Sequence, residues 1–160
     1  MGQRGGAKTG REAPRDLAYS DLELLARLVQ CEAGGEGSDG MQAVAGVVMN
    51  RVTVDYGEYG RLKTVSQVVF QTGQFTCAME TVGGQYNLQN LYNMRPEAEH
   101  YAAAELAMSG QRLPGLGQAL WFFNPYSPSC RVNFPSQVGR FVLRIGDHCF
   151  YDPTDAYADT

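Results

Sequence analysis

The residue order predicts an α+β fold: a compact, mostly helical domain that ends in a small β-hairpin or sheet. Three observations predict it. Helix-capping signatures and apolar residues at three- and four-residue steps occupy the earlier part of the chain. Short aromatic and β-branched runs occupy the later part. Between two of those runs stands Gly146-Asp147, a Gly-first pair suited to a two-residue hairpin turn. Helices first and short strands last is the α+β order.

Each element has its own justification. Residues 1–16 read as a flexible N-terminal segment, 17–153 as the folded domain and 154–160 as a C-terminal tail. Ser20-Asp21-Leu22-Glu23 is a capping box, with Tyr19 and Leu24 placed as a hydrophobic staple. It starts a helix at Asp21 that runs to Ala33. Asp39 and Gln42 form a weaker capping pair that opens a second helix through Val52. Its inner residues Ala43, Val44, Val47 and Val48, with Gly46 among them, are small or β-branched, so this helix approaches its neighbours closely and belongs at the centre. Thr64-Val65-Ser66-Gln67 starts a short helix to Phe70. The segment 83–93 reads as loop. Pro96, in first-turn position, opens a helix that ends at Ser109-Gly110. Residues 119–123 read as a buried extended run. Arg140 to Ile145 and His148 to Tyr151 are the hairpin arms.

Composition narrows the function classes. With 160 residues the chain makes one domain with a core of its own. Its 44% apolar and 19% charged residues are those of a soluble globular protein. A formal net charge of -4 argues against a nucleic-acid partner. No apolar run reaches the ~20 residues of a transmembrane segment. Met1 to Arg15 shows no signal-peptide apolar stretch. No metal site or cofactor is expected, because no patterned ligand set occurs. The four cysteines (Cys31, Cys77, Cys130, Cys149) contain no C-x-x-C pair, and their even number allows disulfides by three pairings without requiring any. Cys31, within an apolar helix, reads most simply as a buried thiol; Cys130 and Cys149 are able to pair with each other or with Cys77.

Glu32 carries the chemistry. It follows Leu28 by four residues and Leu25 by seven, so it continues the apolar stripe of the first helix up to the glycines at 34 and 35. Desolvation there raises a carboxyl pKa and suits a general acid near neutral pH. The plainer alternative is a Glu that only bonds nearby backbone.

Leu25 to Glu36, the helix from Ala43 to Val52 and Gln74-Phe75-Thr76-Cys77 together resemble the CwlJ/SleB cell-wall hydrolases, the spore cortex-lytic enzymes. Residues 119–125, Gly139-Arg140 and the run from Ile145 to Tyr151 resemble the CwlJ branch. The resemblance covers about residues 20–152. It implies a lysozyme-like catalytic domain that acts on peptidoglycan glycan strands, in the spore coat and cortex or the cell envelope. A spore-coat anchoring protein is the partner it implies. The family's catalytic glutamate corresponds to Glu32; Gly34 stands where many relatives carry Arg.

Glycosidases of the ordinary kind use two carboxylates, about 5 Å or about 6.5–9.5 Å apart. Glu36, Asp39, Asp55, Glu58 and Glu80 lack the buried-helix placement of Glu32, and Glu36 reads as a loop or cap carboxylate at the second helix N-terminus. A single acid points to a lytic transglycosylase, the chemistry associated with the SleB branch. A hydrolytic muramidase or glucosaminidase, and a catalytically silent wall-binding coat protein, are the alternatives. An amidase would want a metal or nucleophile that the sequence does not offer.

The expected sugar contacts are Asn50, Gln74, Phe75, Thr76, Trp121, Phe123 and Asn124. Asn50 has an inter-helix hydrogen bond as its alternative, and Trp121 a place in the core. Tyr86 and Tyr92 are further candidates to widen the cleft. His148 and Cys149 are adjacent on a strand and face opposite ways, so they make no nucleophile–base pair. A Cys–His hydrolase would need Cys77 or Cys130 beside His148. His100 reads as exposed.

Overall fold

A computed structural model describes residues 19–160. The segment 1–16, expected to be flexible, lies outside the described residues. Four helices form the frame: α1 (Asp21–Ala33), α2 (Gly37–Thr53), α3 (Val65–Val69) and α4 (Ala98–Met108). A two-residue-strand hairpin, β1 (Thr81–Val82) and β2 (Gln85–Tyr86), interrupts them. A three-stranded antiparallel sheet of β3 (Trp121–Phe123), β4 (Gly139–Ile145) and β5 (His148–Pro153) follows, in the order β3-β5-β4. The α+β expectation holds.

Local chemistry explains most boundaries. Ser20 Oγ accepts from the Glu23 N–H at 3.1 Å and starts α1 at the expected residue. Glu23 does not complete the box. Its carboxylate accepts from Arg27 Nε at 2.9 Å, and Arg27 in turn donates to the carbonyls of Leu91 and Met94. Thr64 and Gln67 do form a full capping box for α3. At α4 the box is made by Glu97 and His100, two residues after the expected start, with His100 Nδ1 accepting from the Glu97 N–H at 2.9 Å. His100 is therefore buried, not exposed as its charged surroundings suggested. α2 starts earlier than predicted, at Gly37, and Gln42 bonds Ser38 in place of Asp39.

Helices α1, α2 and α4 pack on one another, with Leu25, Leu28, Val44, Val47, Ala104 and Phe150 wholly buried between them and the sheet. A Cβ at Gly46 would collide with Leu116 and crowd Arg112, so this glycine lets the 112–116 segment lie against α2. A second apolar cluster joins Tyr59, Leu120, Trp121, Cys149, Tyr151 and Tyr157. It corrects the reading of 154–160 as a tail: Asp155–Asp159 is a 3-10 turn, and Tyr157 is fully buried against Trp121 and Tyr59. No helix among the described residues is long and apolar enough to cross a membrane.

The hairpin forms as predicted, with Ile145 opposite His148 and Gly146 at φ 54. A β-bulge lies between Phe141 and Leu143.

Candidate active site

Glu32 sits in the last turn of α1, one residue past Cys31. Its carboxyl is mostly buried, and Oε2 has no hydrogen-bond partner. Burial pushes its pKa up to about 7, against which the nearby Cys77 backbone acts in the opposite sense. A group poised there is half protonated near neutrality, the condition under which one side chain serves as both acid and base.

The wall opposite α1 is the turn from Gln74 to Met79, with its 3-10 segment Thr76–Ala78. Three attachments hold it. A Cys31–Cys77 disulfide, Cα–Cα 6.1 Å, crosses from α1 to the turn; Cys31 is thus not the free thiol expected of it. Asn87 Nδ2 donates to the carbonyls of Thr76 (3.0 Å) and Met79 (2.9 Å). Gln74 Oε1 accepts from Arg51 Nη1 at 3.0 Å and from the Tyr59 hydroxyl at 3.2 Å. Gln89 Nε2 donates to the Cys31 carbonyl at 3.3 Å, so the same 87–89 stretch also reaches α1.

The expected sugar contacts divide on this geometry. Thr76 is exposed beside Cys77, next to Glu32. Gln74 belongs to a hydrogen-bond chain in which Trp121 Nε1 donates to the Tyr59 hydroxyl at 3.1 Å and that hydroxyl donates to Gln74. Trp121 is 4% exposed and its indole N–H is used, which corrects its assignment as a sugar platform. Phe75, also 4% exposed, is buried against Phe122 and under the Arg51 guanidinium. Phe123 stacks on Phe134 at 4.2 Å within the second cluster. Asn50 is corrected too: Nδ2 donates to the carbonyls of Gly117 and Ala119, and Oδ1 accepts from Arg112 Nε. Asn124 Oδ1 accepts from the Tyr126 N–H at 2.7 Å, closing a local turn.

Glu36 stands at the start of α2 as expected but does not cap it. Oε1 instead accepts from the Asp147 N–H at 3.0 Å, in the β4–β5 turn. His148 follows, half-buried, its ring edge-on to Phe122 at 5.2 Å. Burial lowers its pKa, with Glu36 and Asp147 acting against the change. All four cysteines are paired, Cys130 with Cys149 as the second disulfide, which removes the thiol that a Cys–His hydrolase would need.

Sequence reasoning missed Arg51, Asn87 and Gln89. Their type signalled only polarity: a buried Arg on α2 and amides in a loop are read as supports once their carbonyl partners are known.

The profile of the Cell Wall Hydrolase family matches residues 35–151, beginning three residues past Glu32. Cell wall hydrolase CwlJ of Bacillus subtilis is 33% identical over 84% of this chain and 87% of its own length. The Halalkalibacterium halodurans CwlJ is 32% identical over 85% and 87%. A spore cortex-lytic enzyme of Bacillus cereus is 33% identical over 88% of this chain but 48% of its own length. Among solved structures, the catalytic domain of the germination-specific lytic transglycosylase SleB from Bacillus anthracis superposes with TM-score 0.59 at 31% identity, over 84% of this chain and 97% of that one. The catalytic domain of Bacillus cereus SleB gives 0.60 at 30% identity. By sequence and by fold, this chain belongs to the Cell Wall Hydrolase family.

Proposed function

We propose that the protein cleaves peptidoglycan glycan strands, those of the spore cortex in the setting its relatives suggest, by lytic transglycosylation with Glu32 as the single acid/base. The observation that carries this reading is the Glu32 carboxyl, mostly buried on α1 with its pKa pushed up to about 7. In the first step the Glu32 proton goes to the glycosidic oxygen as the C1–O bond breaks, leaving an oxocarbenium-like centre. In the second step the Glu32 carboxylate takes the proton of the muramic C6 hydroxyl, whose oxygen bonds C1. The products are an anhydro-ended strand and a strand with a freed hydroxyl; Glu32 is protonated again and no water is consumed.

A further observation supports one carboxylate rather than two: Glu36 Oε1 is engaged by the Asp147 N–H. The neighbouring segment 81–93 carries no Asp, Glu, Lys, Arg or His and is rich in Asn and Gln. Asn87, Gln89, Asn90 and Asn93 direct their amide N–H groups to carbonyls of the protein, so the segment shapes an uncharged wall beside the turn. Thr76 is the exposed side chain on the facing turn that is best placed to contact the sugar. A coat protein as anchor belongs to the same reading.

The test is product analysis on spore cortex and vegetative peptidoglycan. Anhydro-ended muropeptides are the expected products, absent with Glu32→Gln. Reducing ends would replace transglycosylation by hydrolysis. Released peptides with intact glycan would overturn the glycosidic assignment.

A further inference from the structure

We propose that the Cys31–Cys77 disulfide positions the catalytic acid, so that Cys31 and Cys77 are positioning residues of the reaction. The proposal rests on the reading of Glu32 given above. One half of the cross-link, Cys31, immediately precedes Glu32 in the chain; the other half, Cys77, lies in the facing turn, and its backbone acts on the Glu32 carboxyl. The disulfide therefore ties the backbone that carries the acid to the turn that faces it, across 46 residues.

The surroundings explain why such a tie matters. On its C-terminal side Glu32 is followed by Ala33 and two glycines, and a side chain at Gly35 would meet nothing within 4 Å. That end of α1 is closed by local backbone bonds alone on this side, Gly34 N–H to the Gln30 carbonyl and Glu36 N–H to the Ala33 carbonyl. The facing turn contains only a three-residue 3-10 segment, whose internal bonds are the local Phe75–Ala78 and Thr76–Met79 pairs. Gln74 and Asn87 fix the two ends of the turn to other elements. Only the disulfide joins its middle covalently to α1. A misplacement of about 1 Å at a reacting group costs on the order of a hundredfold in rate, so the placing of α1 against this turn has a direct kinetic meaning.

The molecule contains its own comparison. Cys130–Cys149 is a disulfide of the same kind, but it is set in the second cluster beside Trp121 and Tyr151. A role limited to stability would make the two interchangeable.

The experiment compares Cys31→Ala/Cys77→Ala with Cys130→Ala/Cys149→Ala on soluble glycan-strand fragments, with kcat and KM measured across pH. The first pair is expected to lose about tenfold or more in kcat at a KM within about twofold. Its alkaline limb should move by about half a pH unit or more, because the burial of Glu32 and the approach of the Cys77 backbone both change. The second pair is expected to melt at a lower temperature with the limb in place. Wild-type enzyme opened by dithiothreitol, which gives two electrons and two protons to each disulfide, is expected to behave as the first pair does. This arm guards against a variant that does not fold. A first pair or reduced enzyme with wild-type kcat and limb, and only a lower melting temperature, would overturn the proposal. Glu32→Gln in the same assay separates the two levels. If it is fully active, the acid assignment fails; if it is inactive while the Cys31/Cys77 variant is unaffected, only the positioning role fails.

Discussion

Glu36 Oε1 accepts a hydrogen bond from the Asp147 N–H at 3.0 Å, across 111 residues of chain. This contact fastens the β4–β5 turn to the start of α2. It also uses the carboxylate that would otherwise be the nearest partner for Glu32 in sequence. Gly146 completes the fit, since a Cβ there would collide with the same oxygen.

From this contact, Glu36→Gln should keep most of the activity, within about threefold, because the amide oxygen still accepts from Asp147. Glu36→Ala should lose about 1–3 kcal/mol of stability, the range for a partner removed from a polar contact. Urea denaturation and turnover on the same preparations check both. A loss of a thousandfold in Glu36→Gln would make Glu36 a second catalytic carboxylate.

The pH dependence of the rate follows from Glu32. The acid form is the active one, so kcat/KM should fall as pH rises through about 7, tenfold per unit beyond it. The measurement is the pH–rate profile of the soluble enzyme. A limb near the usual carboxylate range would contradict the burial of the group.

Stability should follow the same carboxyl and fall, like activity, as pH rises. Its folded pKa, about 7, lies above the ordinary carboxyl value of 4.5, so the folded state holds the proton more tightly than the unfolded chain. That contribution is fully present below pH 4.5 and is lost as pH rises through 7. Glu32→Gln, inactive, should therefore be the more stable protein at pH 8, by up to about 3 kcal/mol, with little difference at pH 4. Thermal melts at the two pH values decide it.

Arg51 should tolerate no conservative exchange. Its Nε donates to the Leu120 carbonyl at 2.7 Å while Nη1 reaches Gln74, with the guanidinium 4.2 Å from the Tyr59 ring centroid. A lysine offers a point charge and no fork. Arg51→Lys is expected to cost about 1–3 kcal/mol in urea and to reduce kcat, because Gln74 opens the turn that faces Glu32.

The C-terminal residues are expected to be necessary for folding. The Tyr157 hydroxyl donates to the Tyr56 carbonyl and accepts from the Tyr59 N–H, and its ring packs against Trp121. Tyr157→Ala should lose about 3–5 kcal/mol, as large core truncations do. A melting temperature within a degree or two of wild type would show that this turn is dispensable.

The helices and the hairpin were legible in the sequence because their signals are local. Ser20 and Thr64 cap within three residues, the stripe from Leu25 to Glu32 repeats at helical spacing, and Gly146-Asp147 makes its own turn. Glu32 was legible for the same reason, as a carboxylate that continues an apolar stripe. The supporting residues were not. Asn50, Gln74 and Trp121 look like sugar contacts by type, yet they are committed to partners at Ala119, Arg51 and Tyr59 that no local pattern reveals. His100 read as exposed from its charged helix and 154–160 read as a tail, and packing buried both His100 and Tyr157.

By itself, then, the sequence determined the order of the helices and the C-terminal hairpin, the starts of α1 and α3 and the place of Glu32 on α1, since each depends on residues a few positions apart. Only the tertiary structure decided which cysteines pair, where the Glu36 carboxylate goes and which aromatics face the core. Those outcomes depend on contacts between segments 19 to 111 residues apart, and such contacts exist only once the apolar faces of α1, α2, α4 and the sheet have been buried together.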